Sequence, residues 1–169
     1  MGVYITPSSQ AAYVLENCID VQCDGQIVQY AISPDGTLAS TGNAAITGAH
    51  VNPIALLTDT SGSNAYVLAN LMGVDTNQGV VLHYSVNAQG ALMPGSPASV
   101  SVSSGAVALG SYGSNLYALS ANAIGQVSGA PTGGNIDHLV IGADGTLSNA
   151  GTTVINGNFP IAMTVVAPH

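Results

Sequence analysis

The chain contains one sequence unit three times, at a nearly constant spacing. The segment IVQYAISPDGTL begins at Ile27, VLHYSVNAQGAL begins at Val81 and IDHLVIGADGTL begins at Ile136, so the starts lie 54 and then 55 residues apart. Two shorter landmarks keep the same order: PIAL, AVAL and PIAM at positions 53, 106 and 160, and AYVL, AYVL and LYAL at positions 12, 65 and 116. Three landmarks in one order indicate three copies of one structural unit.

Each unit has the pattern of four antiparallel strands. In the first copy, Val28, Tyr30 and Ile32 alternate with other residues, which is the period of a half-buried strand. The sequence Pro34-Asp35-Gly36 then predicts a tight turn, because proline presets φ and glycine accepts a positive φ. In the middle copy, the four strands are predicted in PIALLT, AYVLAN, VVLHYSV and ALMPGSPASVSV.

Four-stranded antiparallel units that repeat about every 40 to 55 residues are typical of β-propeller blades. We therefore predict an all-β chain whose residues 1–169 form one domain of three blades. The repeats span about 1–52, 53–105 and 106–159, and a spare C-terminal strand lies in 160–169. A blade must pack on neighbouring blades to bury its faces, which explains why apolar residues occupy both phases of the strands.

The succession of PIAL, AYVLAN and IVQYxIxxDGxL resembles the lactonase-like, YVTN-type β-propellers over nearly the whole chain, from Val3 to Val166. The resemblance implies the fold, whereas the activity stays open, because such blades serve lactonases, binding modules and surface proteins alike. Members usually close six or seven blades in one chain, and this chain has three, so we expect an incomplete ring. Three arrangements would supply the missing surfaces: a closed homo-oligomer, a strand-exchanged fibre, or a longer propeller from which this chain is a fragment.

Charge narrows the range of partners. The 169 residues include eight Asp and Glu but no Lys or Arg, which gives a formal net charge of −8. Such a chain has no cations to place on phosphates, which excludes nucleic acid, phosphate clamps and P-loop chemistry. No apolar run approaches the roughly 18 residues of a membrane span, so no membrane insertion is predicted. Other copies of the chain are the predicted partners.

The two cysteines, Cys18 and Cys23, have four residues between them. This spacing suits a small disulfide-closed loop, since a redox motif has two intervening residues and structural zinc needs further ligands. Two inert thiols are the alternative. Together with the scarcity of charge, a disulfide favours an extracellular or periplasmic setting over the cytosol. The N-terminal residues lack the basic region of a signal peptide, which is consistent with a mature secreted chain or a cytosolic one.

Acidic residues collect in the loops that join second to third strands. Asp75 and Asn77 lie in one such loop, and Glu16, Asp20 and Asp24 surround the cysteine loop. Oxygen ligands at alternating positions suit calcium, so these five residues are candidate calcium ligands. Plain polar turns are the alternative, because the same residue types are common in turns. No other cofactor is predicted.

Aromatic and histidine residues mark further equivalent positions. Tyr13, Tyr66 and Tyr117 stay in phase inside apolar strands and are predicted to form a core layer. His83 and His138 occupy equivalent places in successive third strands, either as a shared metal pair or as fillers between blades.

No catalytic residue is predicted. The chain has no G-x-S-x-G motif and no zinc-type histidine pair, and its two cysteines are expected to pair with each other. The sequence therefore favours a secreted, non-enzymatic β-propeller module that self-associates as a scaffold. The alternative is a lactonase-like enzyme or ligand-binding propeller with its site on the acidic loop face, where His50 is also expected.

Overall fold

The computed structural model describes residues 2–6, 10–17, 24–72, 77–121, 133–156 and 160–166, and the regular structure in these ranges is all β. Within them, no helix has the length and apolar character needed to cross a membrane. The strands are β1 (Gly2–Ile5), β2 (Ala11–Glu16), β3 (Asp24–Ile32), β4 (Leu38–Ala49), β5 (Val51–Thr58), β6 (Asn64–Met72), β7 (Asn77–Val86), β8 (Leu92–Val102), β9 (Ala106–Tyr112), β10 (Asn115–Ala121), β11 (Gly134–Ile141) and β12 (Leu147–Ile155).

The strands form three antiparallel sheets in chain order. The first sheet contains β1 to β4, the second β5 to β8 and the third β9 to β12, and each strand is hydrogen-bonded to its neighbour in sequence. The four strands predicted in the middle copy correspond to those of the second sheet. The predicted fold class is confirmed: the chain is all-β, and its three four-stranded sheets are consistent with propeller-like blades in an unclosed ring.

The same glycine turn closes the last hairpin of each sheet. Gly36, Gly90 and Gly145 have φ angles of 83°, 78° and 83°, a region that a residue with a Cβ rarely adopts. In the first sheet, the Gly36 amide donates to the Ser33 carbonyl at 2.8 Å. The Thr37 amide donates to Asp35 Oδ1 at 3.0 Å. The turn predicted at Pro34-Asp35-Gly36 is therefore confirmed.

The core consists of two layers between neighbouring sheets. The layer between the first and second sheets contains Tyr13, Leu15, Ile27, Leu56, Ala65, Val67 and Tyr84. The layer between the second and third sheets contains Tyr66, Leu68, Val81, Val102, Ala106, Leu116, Ala118, Leu139 and Leu147. The second sheet is covered on both faces, which is why every residue of β6 from Ala65 to Ala69 is fully buried. Each large apolar side chain buried in this way contributes roughly 1.5–3 kcal/mol.

Residues 160–166 lie against the third sheet and are not paired into a strand. A Cβ added at Gly134 would lie 2.8 Å from Pro160 Cγ, just as a Cβ added at Gly25 in the first sheet would lie 2.7 Å from Pro53 Cδ. Because Pro53 belongs to the first strand of the second sheet, residues 160–166 run where the first strand of a next blade would run. The spare strand predicted here lacks a ladder because no strand of the described ranges lies beside it to exchange hydrogen bonds.

Candidate functional site

The described parts of the predicted acidic face lie together at one end of the sheets. Glu16 ends β2, and Asp24 begins β3. Asp24 pairs with Ala49, which precedes His50 in the connection to the second sheet. The His50 carbonyl accepts a hydrogen bond from the Met72 amide at 2.7 Å, so the end of β6 lies here as well.

Four residues of the predicted sites lie outside the described residues: Cys18, Asp20, Cys23 and Asp75. The disulfide and the calcium sites therefore stay predictions. Among the calcium candidates that are described, Glu16 Oε2 accepts a hydrogen bond from Gln26 Nε2 at 2.6 Å, and Asp24 is exposed. The Asn77 carbonyl accepts a hydrogen bond from the Gly105 amide at 2.9 Å. Within the described ranges, no three His, Cys, Asp or Glu residues gather as a metal site would need.

A cleft of about 590 Å³ lies at the opposite end of the first two sheets. The turns at 60–62 and 86–90 line it, together with Gln10, Gln29 and Thr41. Among its described lining residues, Tyr13 alone is ionisable, and its hydroxyl donates to the Gly90 carbonyl at 2.5 Å. Burial raises the pKa of Tyr13 above its usual 10.0. The described lining of the cleft therefore offers amides and hydroxyls to a neutral polar ligand.

The tyrosines predicted to form a core layer connect neighbouring sheets. Tyr13 and Tyr66 are fully buried, and the Tyr66 hydroxyl donates to the Gly145 carbonyl at 2.9 Å. Each tyrosine thus binds the glycine turn of the following sheet. Burial raises the pKa of Tyr66 far above its usual value, and the nearby negative charges of Asp59 and Asp144 act in the same direction. The core-layer prediction is confirmed for these two tyrosines.

His83 and His138 each stack on the tyrosine that lies opposite in the second strand. Tyr66 stacks on His83 with ring centroids 5.5 Å apart, and Tyr117 stacks on His138 at 5.0 Å. In both pairs, the histidine Nε2 lies within 3.0 Å of an asparagine Oδ1. His83 is buried between the second and third sheets, whereas His138 lies on the far face of the third sheet. The two rings therefore do not form a shared metal pair.

Asp137 is a buried carboxylate that the sequence analysis missed. It is 2% exposed and accepts hydrogen bonds from the Ser103 amide at 2.7 Å and from Thr152 Oγ1 at 2.6 Å. Ser103 belongs to the link between β8 and β9, so the carboxylate ties this link to the third sheet. The available signal was an acid at a repeated position where the other copies have Val28 and Leu82.

One face of the first sheet is not covered by any described sheet. The resulting exposure is clearest at the first residue of each fourth strand. Leu147 in the third sheet is 7% exposed, and Leu92 packs in the layer between the first and second sheets, but the equivalent Leu38 is 56% exposed. Val3, Ile5 and Ile46 lie on the same open face and are each more than half exposed.

The third sheet has an open face on the other side of the molecule. Tyr117 and His138 lie on it and are half-buried, although their counterparts Tyr66 and His83 are buried. Residues 160–166 cover part of this face, since a Cβ added at Gly110 would lie 2.7 Å from Val165 Cγ2. The two open faces carry different residues, and each corresponds to a sheet face that is buried in a core layer inside the molecule.

No protein-family model matches the chain, and no curated protein matches it. The structure shows three four-stranded antiparallel sheets, which are consistent with a repeated β-propeller-like architecture.

Proposed function

We propose that this protein is a non-enzymatic structural module whose two open sheet faces join copies of the chain into a ring or a fibre. The observation that carries the proposal is the exposure of Leu38. The side chain has the same place in its repeat as Leu92 and Leu147, and these two are covered by the preceding sheet. A preceding sheet from a second copy would cover Leu38 in the same way.

Burial of apolar surface supplies the driving force in this proposal. Leu38 and Ile46 of the open face are 56% and 54% exposed, and the transfer of such side chains from water contributes about 25 cal/mol per Å² of buried apolar area. Exposed apolar residues on an open sheet face are typical of an interaction surface. The chain has no Lys or Arg, so contacts between copies rest on packing and hydrogen bonds instead of ion pairs with these residues.

An extracellular or periplasmic location is part of the proposal. It rests on the cysteine spacing and on the scarcity of charge. Relation to the lactonase-like, YVTN-type propellers is likewise proposed, on the sequence pattern. In this proposal, the chain is a structural member of that group.

Ligand binding is a second candidate function, and the cleft between the first two sheets is the observation that favours it. Its neutral lining of Gln10, Gln29 and Thr41 suits a polar, uncharged ligand. This cleft lies away from the acidic loops in which a lactonase-like site is predicted.

Light scattering coupled to size-exclusion chromatography tests self-association. The wild-type chain is expected to have a mass that is a multiple of 16.7 kDa and rises with concentration. Leu38→Glu is expected to yield monomers, because it places a charge on the face that copies bury. Val154→Glu is the matched control, since Val154 is 63% exposed on the outermost strand of the third sheet, on the side of the sheet opposite to Tyr117. A folded wild-type monomer at all concentrations would contradict the proposal.

A further inference from the structure

One contact between sheets occurs twice in the molecule. The Tyr13 hydroxyl donates to the Gly90 carbonyl of the second sheet, and the Tyr66 hydroxyl donates to the Gly145 carbonyl of the third. Each tyrosine has the same place in a second strand, and each glycine has the same place in the turn before a fourth strand. The same contact therefore occurs at both junctions between neighbouring sheets.

The third sheet carries the donor of a third such contact. Tyr117 pairs with His138 across β10 and β11, as Tyr66 pairs with His83 across β6 and β7. The stacked rings of both pairs have similar geometry, with interplanar angles of 15° and 18°. Among the described residues, however, the Tyr117 hydroxyl has no hydrogen-bond partner.

The first sheet carries the matching acceptor. The turn at Gly36 has the φ angle and the turn hydrogen bond found at Gly145. Its surroundings differ: a Cβ added at Gly145 would collide with Asn64 of the preceding sheet, and one at Gly90 would lie 2.6 Å from Gln29 Nε2. A Cβ at Gly36 would meet nothing within 4 Å. The Gly36 turn thus has the acceptor geometry without the preceding sheet.

We propose that the third sheet of one copy docks on the first sheet of a second copy, with the Tyr117 hydroxyl donating to the Gly36 carbonyl of that copy. The inference rests on the proposed self-association and specifies the surfaces that make it. A head-to-tail contact of this kind continues the interface that joins the sheets within the chain. It covers Leu38 of the second copy with the face around Tyr117.

A second part of the proposal concerns the first strand of the docked sheet. Residues 160–166 of the first copy already occupy the position that a first strand takes beside the docked sheet. The strand β1 of the second copy would occupy the same position, so β1 must be displaced. β1 has only four residues, and the Tyr4 hydroxyl anchors it to Thr58 Oγ1 of β5 at 2.8 Å. In the docked pair, residues 160–166 therefore lie beside β2 of the second copy in place of β1.

Sedimentation velocity on the full chain tests the hydrogen bond. Tyr117→Phe is expected to raise the dissociation constant roughly three- to tenfold, which is the effect of one neutral hydrogen bond. Tyr112→Phe removes another hydroxyl from the same open face and is the control. Because Tyr112 has no counterpart in the repeated contact, its effect is expected to be smaller than that of Tyr117→Phe. Tyr4→Phe is expected to lower the dissociation constant because it releases β1. If the wild type associates while Tyr117→Phe has no effect, the proposed contact is wrong and the proposed function stands. If the wild type is monomeric, both the proposed contact and the proposed function are wrong.

Photocrosslinking decides the direction of docking. The crosslinking amino acid p-benzoylphenylalanine at position 117 is expected to link to residues 33–37 of the second copy, as mapped by mass spectrometry. Cleavage before aspartate yields the peptides, because trypsin has no site in this chain. A crosslink to the third sheet of the other copy would show a two-fold contact and overturn the head-to-tail arrangement. An unchanged dissociation constant for Tyr4→Phe would overturn the strand replacement.

Discussion

Tyr66 shows how a single residue can connect two sheets at the cost of burying a polar group. Its ring fills the layer between the second and third sheets, and its hydroxyl is satisfied by the Gly145 carbonyl. An ionised phenolate in this place would lose water and meet the negative charges of Asp59 and Asp144. The neutral form is therefore a condition of the folded state.

Alkaline pH is expected to unfold the protein from about pH 10 upward. Burial raises the pKa of Tyr13, Tyr66 and Tyr84 above 10.0, so the unfolded chain releases these protons first. Stability from these groups is full below pH 10 and falls as the pH rises further. Absorbance at 295 nm is expected to show all seven tyrosines ionising near pH 10 in denaturant, and a delayed fraction in native buffer. Identical titration curves in both solvents would contradict the prediction.

The third and fourth strands of every sheet share an irregular ladder. The register shifts between Val28 and Tyr30, between Leu82 and Tyr84, and between His138 and Leu139. Each fourth strand carries a glycine a few residues from its start. Gly42 and Gly151 adopt positive φ, and Gly95 lies so close to the His83 ring that a Cβ would collide with it. Gly42 and Gly151 thus permit the positive φ angles near the bulge, whereas Gly95 leaves room for the His83 ring.

Asp137→Asn tests the link between the second and third sheets. The amide that replaces the carboxylate has one acceptor oxygen, so the Ser103 amide or the Thr152 hydroxyl loses its acceptor in a buried place. The free energy of unfolding in urea is expected to fall by about 1–3 kcal/mol. Asp24→Asn makes the same change of charge at an exposed site and is expected to leave stability within about 0.5 kcal/mol. Equal effects of the two variants would mean that net charge, and not the buried contact, matters.

The sequence was sufficient to predict the strands of the three sheets, the glycine turns and the buried positions of Tyr13 and Tyr66, because local periodicity and turn chemistry specify them. It could not predict that Tyr117 and Leu38 are accessible, since each has the same sequence context as its buried counterparts. Exposure at these positions depends on whether a neighbouring sheet is present. The role of Asp137 was missed for a similar reason, because its partners are distant in sequence: Ser103 lies in the link between β8 and β9, and Thr152 lies in β12.

At the scale of the whole molecule, a net charge of −8 would oppose the association of copies that is proposed above. With no Lys or Arg, charged side chains add mainly repulsion when two copies meet. The repulsion is long-ranged in dilute salt, where the Debye length is about 30 Å at 0.01 M, and is nearly screened at 1 M, where it is about 3 Å.

Salt is therefore expected to strengthen self-association. The dissociation constant measured by sedimentation velocity should fall steadily as NaCl is raised from 0.01 to 1 M. The Leu38→Glu variant should stay monomeric over the same range, because salt does not restore the lost packing. Weaker association at high salt would mean that attractive charge pairs hold the copies together, contrary to the proposed interface.

The difference between the two outer sheets gives any stack of copies a direction. One end of such a stack would present the open face around Tyr117, and the other end would present the open face around Leu38. Copies would therefore add to the two ends through different contacts. In the proposed assembly, a variant such as Leu38→Glu would still join a stack through the intact open face of its third sheet. Its altered first sheet would then prevent the next copy from adding at that end. Such a chain is a terminator for one end only, and the length of a fibre could be set by how much of it is mixed in.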